Sequence, residues 1–494
     1  MKNYLLRIIF ILIILFNKQQ TLKSQNEEDA LNISYTYYLG TSRGLATGNA
    51  LTSIIADQSA IIKNPASLGK YVKSELAFTP YVSFAYTSSE FYNKDNFDFK
   101  LSFKVSNFGI VLSHKNDENS DFKYVNFSFS YNRLIDYNKY VKISGYNSES
   151  SLVDYFVKIS EGKKPNELNP FVEGMGYDAW LFDYDSSSNK YYSALLGNGV
   201  NQIKQINYKG GIGEYNFSLA TNFLNTIFLG CGIGIRKARF ITFSDYSEKD
   251  PKEIDAIKFF EYFTYSKEIE HIGKGINFKI GAIFAPVNFF RLGLSFHSPT
   301  FYDLDLDYSF KIKSKFSDTM DYRTSDIKPR VGEYDYQVIT PFKAIGSLGF
   351  LIPKDNKPFI NIGIEGEIIN YKHIRLRAND YFFEDENDAI NNIYSLAWSS
   401  GAGIEFFLYP FVFRISHNYY LSPYSSNQPN KNSHTQLYAG GIGFIFENSY
   451  WDLSFGIIQK KYKEFLYDPN LIPIEPAYMK YMSMFLLTTI GIRF

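Results

Sequence analysis

From residue 74 to its last residue the chain repeatedly alternates large apolar with polar side chains, and this period of two limits which folds are open to it. In YVNFSFSYN, Val125, Phe127, Phe129 and Tyr131 fall on one face and Asn126, Ser128, Ser130 and Asn132 on the other. GEYNFSLATNF sets Tyr215, Phe217, Leu219 and Phe223 against Glu214, Asn216, Ser218 and Asn222. FINIGIEGEI sets Ile360, Ile362, Ile364 and Ile368 against Asn361, Gly363, Glu365 and Glu367. RLGLSFH does the same with Leu292, Leu294 and Phe296 against Arg291, Ser295 and His297. Soluble sandwiches carry such repeats too, so alternation alone leaves two architectures open.

Length and rhythm decide between them. The alternating spans run to roughly twenty residues, whereas strands of soluble proteins cluster near five or six. Connections at one end are short, as at 223–226, 285–289, 353–358, 408–411 and 447–450, and those at the other end are longer and polar. Short turns on one side and long loops on the other are the habit of an outer-membrane β-barrel. The chain also stops on a strand, FLLTTIGIRF, with Met484, Leu486, Ile490, Ile492 and Phe494 on one face. This ending resembles the signal read by the barrel assembly machinery.

The expectation is therefore an all-β transmembrane antiparallel barrel of about fourteen strands, an even number that leaves both chain ends in the periplasm. The spans are 74–92, 95–115, 121–147, 206–224, 226–248, 258–286, 289–316, 333–352, 357–380, 386–409, 411–423, 434–447, 450–467 and 477–494. The third could instead be two strands around RLIDYNK, which would break the parity. Residues 1–24 read as a signal peptide, with Lys2 and Arg7 before an apolar run from Ile8 to Phe16 that is too short to span a bilayer. Residues 25–73 read as a plug, 74–494 as the barrel, and 148–205 as a large external loop with short helices.

Charges on barrel strands are costly against lipid and belong in the lumen. That assigns inward Glu214, Arg236, Lys279, Arg291, Glu365, Glu367, Glu405, Arg414 and Asp452, chiefly as structural ion pairs. Gly230, Gly232 and Gly234 fall on the same inner face and leave room for something inside. The segment from Gly40 to Gly69, closed by an Asn-Pro turn, is the candidate occupant. In the external loop, Leu152, Val153 and Phe156 have helical spacing and are candidates for capturing an apolar ligand. Pro80, Pro299 and Pro341 interrupt strands, and each is a candidate site for a lateral distortion.

The stretch GTSRGLATGNALTSIIADQSAIIKNPASLG resembles the N-terminal hatch signature of the FadL/OmpP1/TodX family of outer-membrane transporters for hydrophobic compounds. Gly48, Ala50, Ala56, Asp57, Ser59, Ala60, Asn64, Pro65 and Ala66 match it, whereas Gln58, Lys63 and Ser67 depart from it. FKIGAIFAPVNFFRLGLSFHSPTFYDLDLDYS is similar to a mid-barrel segment of longer members. The resemblance implies passive uptake of long-chain fatty acids or other hydrophobic small molecules, captured at external loops and released sideways past the hatch. It implies a hydrophobic ligand, outer-membrane lipid and the assembly machinery as partners. The competing reading on the same fold is a docking or assembly partner for secretion or surface attachment.

Other chemistries find little support. Net charge is zero, so no basic surface argues for nucleic acid. Ser295 with His297 and Ser416 with His417 have no third partner that singles them out for catalysis. The six His are scattered and the one Cys, Cys231, stands alone, so neither a metal site nor a cofactor is expected. The glycine runs at 210–213 and 230–234 lack the spacing and βαβ context of a dinucleotide fingerprint.

Overall fold

The computed structural model describes residues 27–193, 195, 199–251, 257, 259–317, 322–355 and 357–494; the proposed signal peptide lies outside them. Fourteen antiparallel strands form a closed wall. They are β1 (Glu75–Phe91), β2 (Lys94–Lys115), β3 in two pieces (Phe122–Asp136 and Lys139–Asn147), β4 (Val200–Phe223), β5 (Ile227–Lys249) and β6 (Phe260–Val287). Then come β7 (Phe290–His297 and Phe301–Ser317), β8 (Arg330–Ile339 and Lys343–Lys354), β9 (Lys357–Asn370) and β10 (Leu396–Leu408). The last four are β11 (Phe411–Tyr420), β12 (Thr435–Ile445), β13 (Ser449–Glu464) and β14 (Ala477–Arg493). Closure is made by the first and last strands, with Glu75 opposite Arg493 and Glu90 opposite Tyr478.

Alternation becomes inside and outside. On β11, Phe411, Phe413 and Ile415 are exposed on the outer surface while Val412, Arg414 and Ser416 are buried. The same belt continues through Ile490 and Ile492 of β14 and Leu229, Ile233 and Ile235 of β5. At the closely connected end, the three-residue turn between β4 and β5 takes the left-handed region at Leu224 and Asn225. The wall is uneven in height: β6 has 28 residues and β11 has 10. Among the described residues no helix is long and apolar enough to cross a membrane.

Three expectations are corrected. The span 386–409 begins as a helix, α6 (Glu384–Ile393), and becomes strand only at Leu396. Three acidic residues in its first turn suit a helix N-terminus, and Glu386 and Ile390, four apart, form its buried face. In the span 357–380 the wall strand ends at Asn370, whose side chain accepts from Lys372 N and opens a single helical turn; a short strand, Arg375–Arg377, follows and pairs with Gln337–Ile339 of β8. Finally, β4 starts at Val200, so the last six residues of the 148–205 loop belong to the wall.

The third span counts once. Both of its pieces pair with β4, Phe127 with Leu219 below the break and Val141 with Ile206 above it, so the parity of fourteen holds. Pro80 sits at a bulge in β1, Pro299 between the pieces of β7, and Pro341 between those of β8. A proline cannot donate to a ladder, which accounts for all three interruptions. The break in β3, at Tyr137–Asn138, contains no proline.

Three helices precede or cover the wall: α1 (Glu27–Ser34), α2 (Ser42–Ala46) and α3 (Gln58–Lys63), the last followed by a 3-10 turn, Pro65–Lys70. The external loop carries α4 (Leu152–Ser160), α5 (Glu173–Asp178) and a small hairpin, Asp183–Asp185 with Lys190–Tyr192.

Candidate functional site

Residues 40–71 occupy the lumen. They touch inward-facing positions on every strand of the wall, which only a segment inside a closed barrel can do. The contacts are largely side chain to backbone. Gln58 Nε2 donates to Gly109 O at 2.8 Å on β2, Asn126 Nδ2 of β3 to Leu68 O at 2.7 Å, and Asn418 Nδ2 of β11 to Gly48 O at 2.8 Å. Glycines on the wall let the two backbones meet. A Cβ at Gly230 would lie 2.4 Å from the Pro65 carbonyl carbon, and one at Gly363 would lie 2.3 Å from Ala50 O.

The motif residues shape this segment. Asp57 caps α3 by accepting from Ser59 N at 2.9 Å, and takes the Thr41 hydroxyl at 2.8 Å, so two turns share one carboxylate. Asn64 Oδ1 accepts from Ala66 N at 3.0 Å to start the Pro65 turn, while its amide reaches Leu294 O at 3.3 Å on β7. Ser59 and Ala66 are buried in these turns.

Ion pairs fasten segment to wall. Arg43 holds Glu405 through two bonds of 2.8 and 2.7 Å, and Glu405 also takes Arg414 Nε at 2.8 Å. Arg414 continues to Asp452 at 2.5 Å. Glu365 pairs with Lys63 and accepts the Thr52 hydroxyl at 2.6 Å. Glu367 lies 3.5 Å from Lys343, whose ammonium also reaches Thr36 Oγ1 at 2.8 Å. Glu214 joins Arg236 at 2.8 Å and Lys279 on the wall itself. Buried charges of this kind are tolerable only when partnered, and each of these carboxylates is. Arg291 stands apart: it bonds the Phe290 carbonyl at 2.8 Å at the short-turn rim. Sequence reasoning had no signal for Arg43 or Lys63, which lie outside the strands.

Above this layer is a chamber of different chemistry. On one side α1 packs Ala30, Leu31 and Ile33 against Tyr302, Leu304, Leu306, Val338 and Phe383. On the other, half-buried Lys139, Lys204, Lys267 and Lys460 face inward. Lys139 on β3 stands 4.6 Å from the ring centroid of Tyr208, 5.8 Å from that of Tyr462 and 5.5 Å from that of Tyr481, a span only an inward side chain can make. Lys460 approaches Tyr35 and Tyr462 at 5.9 and 5.7 Å. Carboxylates nearby are Glu464, paired with Lys204 at 2.8 Å, Glu28 and Asp29. Tyrosine faces and lysine ammonium groups thus rim the chamber together. These lysines alternate with outward residues as any soluble strand would, which hid them in the sequence.

The external loop roofs the chamber. Leu152, Val153 and Phe156 of α4 are buried with Met175, Phe182 and Phe263 in one apolar cluster. Glu248, at the top of β5, fixes α4: it accepts from Leu152 N at 2.8 Å, Gln202 Nε2 at 3.0 Å, Tyr246 OH and Ser151 Oγ. Ser151 also opens α4 with a capping box to Asp154.

The wall is parted between β2 and β3. The β2–β3 ladder ends at the Asn107–Asn132 pair, while β2 continues upward paired only with β1. Past its break β3 tucks against the inner face of that hairpin, and side chains replace the ladder. Ser89 Oγ donates to Lys142 O at 2.6 Å, Ser144 Oγ to Asn96 Oδ1 at 2.8 Å, and Lys104 Nζ to Asp136 at 2.7 Å. Tyr81 OH takes the other Asp136 oxygen at 2.8 Å. Outside, the hairpin presents Phe97, Phe99, Leu101 and Phe103, the last 73 % exposed.

No protein-family model and no curated protein sequence matches the chain. Its fold is that of FadL-type barrels. It is similar to the crystal structure of a Pseudomonas aeruginosa FadL homologue at 11% identity and a TM-score of 0.56, over 93% of this chain and 99% of that one. It is similar to the Pseudomonas putida toluene transporter TodX at 10% identity and a TM-score of 0.51, again over 93% and 99%.

Proposed function

We propose that this barrel sits in the bacterial outer membrane and takes up hydrophobic or amphiphilic small molecules, long-chain fatty acids among them. The outer belt of Ile, Leu, Phe and Val is the surface a bilayer covers. The two neighbours of this fold include a toluene transporter, which fits a hydrophobic cargo. Outer-membrane lipid and, during biogenesis, the assembly machinery are the further partners of this reading. Asp57, Ser59, Asn64, Pro65 and Ala66 act as the hatch, and Leu152, Val153 and Phe156 belong to the capture lid.

The observation that carries the reading is the parted wall at β3. A seam crossed by a few side-chain bonds of about 1 kcal/mol each separates at lower cost than one crossed by a continuous backbone ladder. An apolar chain leaving there for the bilayer stays out of water and keeps roughly 25 cal/mol per Å² buried. The lysine-rimmed chamber suits a carboxylate head group. A filled lumen argues against a diffusion porin.

The test is a lock across the seam. In a Cys231→Ser background, Asn96→Cys with Ser144→Cys forms a disulfide between β2 and β3, and uptake of a fluorescent fatty acid into proteoliposomes is followed before and after reductant. Uptake that stops when oxidised and returns when reduced supports lateral release. Uptake unchanged by the lock refutes it.

A further inference from the structure

On the outer surface a concavity of about 750 Å³ spans β3 to β7 just above the apolar belt. Its position is set by where outward residues change character. On β5, Leu229, Ile233 and Ile235 give way to Lys237 and Arg239; on β6, Phe278 and Ile276 give way to Lys274; on β3, Phe127 and Phe129 give way to Tyr131 and Arg133. Gly211 and Gly213 of β4 withhold side chains at the centre, where a Cβ would meet Arg133 and the Tyr131 ring. Tyr131 and Tyr215 line the lower edge, the place of an aromatic girdle.

The charges do not cancel. Arg239 is paired with Glu270 at 2.7 Å and Lys104 with Asp136. Asp303 lies directly across from Lys274 on the neighbouring strand and Asp305 one outward step above it, Asp303 taking a bond from Gln337 at 2.7 Å. Among the described residues, Arg133, Lys237 and Lys274 form no ion pair; Arg133 reaches the Tyr131 hydroxyl at 3.1 Å, and Lys237 stands 5.5 Å from the Tyr215 ring. Three unpaired cations in a cavity at head-group height, over an apolar wall, match one occupant in particular.

We propose that this cavity binds the phosphorylated head group of an outer-leaflet lipid, whose acyl chains lie on Phe129, Phe217, Ile235 and Ile276. The lipid would stand beside the parted wall at β3 and border any molecule leaving there. The proposal rests on the outer-membrane reading above.

The test is native mass spectrometry of the full-length protein in mild detergent, titrated with a bisphosphorylated glycolipid, with the same lipid after dephosphorylation, and with inorganic phosphate. One phosphorylated lipid per barrel is expected. Arg133→Gln/Lys237→Gln/Lys274→Gln weakens its retention about a hundredfold, from roughly fivefold per cation near a lipid surface, whereas Lys461→Gln/Lys480→Gln elsewhere on the wall leaves it unchanged. Equal retention of the dephosphorylated lipid, full retention by the triple variant, or displacement by inorganic phosphate at matching concentration overturns the proposal. A protein that fails to float with liposomes refutes the membrane reading instead.

Discussion

Gly363 and Gly366 are three residues apart on β9 and face opposite ways. At Gly363 an added side chain collides with Ala50 O and Leu51 of the luminal segment, whereas at Gly366 the nearest atom stands 3.8 Å away. Gly363→Val therefore overpacks the interior by about 1–3 kcal/mol and pushes the segment off the wall, while Gly366→Ala is silent. Conductance across planar bilayers reads the difference: raised for the first, unchanged for the second. Arg43 makes a comparable case by charge. Arg43→Ala strips Glu405 of its bidentate partner and leaves Arg414 as its only guanidinium, a loss of up to about 3–5 kcal/mol for a buried pair. It should raise the same conductance more than Asn64→Ala, which removes one cap of about 1 kcal/mol and one bond to β7. The turn at Asn64 was legible in the sequence as an Asn-Pro pair, whereas Asp57 stood there only as a match to the hatch signature and its cap on α3 came from the structure. Arg43 was not legible, because an ion pair between residues 362 apart leaves no local trace.

At the scale of elements, α4 depends on a strand it does not follow. Glu248 collects four donors, three of them from α4, its cap and Tyr246. Bonds to a charged group contribute about 1.5–3 kcal/mol each, so Glu248→Ala should loosen the roof without touching the wall. Amide exchange should speed up across Leu152–Ser160 and stay slow in β12–β14; fast exchange in both would mean that the roof and barrel unfold together. Strands were read well where lipid enforces alternation, as in β11 and β14. They were misread above the belt, where that demand lapses: α6 lies within a span expected to be strand, and only its acidic first turn hinted at a helix. The break in β3 falls at RLIDYNK, where the sequence left two strands open as an alternative; what parts the wall there is a change of partner, from β2 below to side chains above.

For the whole molecule, the chamber predicts selectivity. Lys139→Met with Lys460→Met keeps most of the volume and removes two of the ammonium groups facing Tyr208, Tyr462 and Tyr35. Competition binding should lose about tenfold for a fatty acid and little for a neutral aromatic hydrocarbon, since roughly 1.4 kcal/mol of charge-assisted bonding disappears only for the acid. Equal losses for both would make the lysines structural. The architecture as a whole was legible because long alternating spans, unequal connections and an even count all point the same way. The chamber was not, because its lining is assembled from β3, β4, β6 and β13, far apart in the chain.

Closure between β1 and β14 also fixes an order of events. The luminal segment precedes β1, yet it bonds Thr489 of β14 through Ser42 and is sealed from both sides once Glu75 meets Arg493. Because it touches every strand, the segment is expected to be in place before the last hydrogen-bonded seam zips. The earliest residues made are thus a template around which the latest ones close, and a barrel assembled without them would have to close on an empty middle.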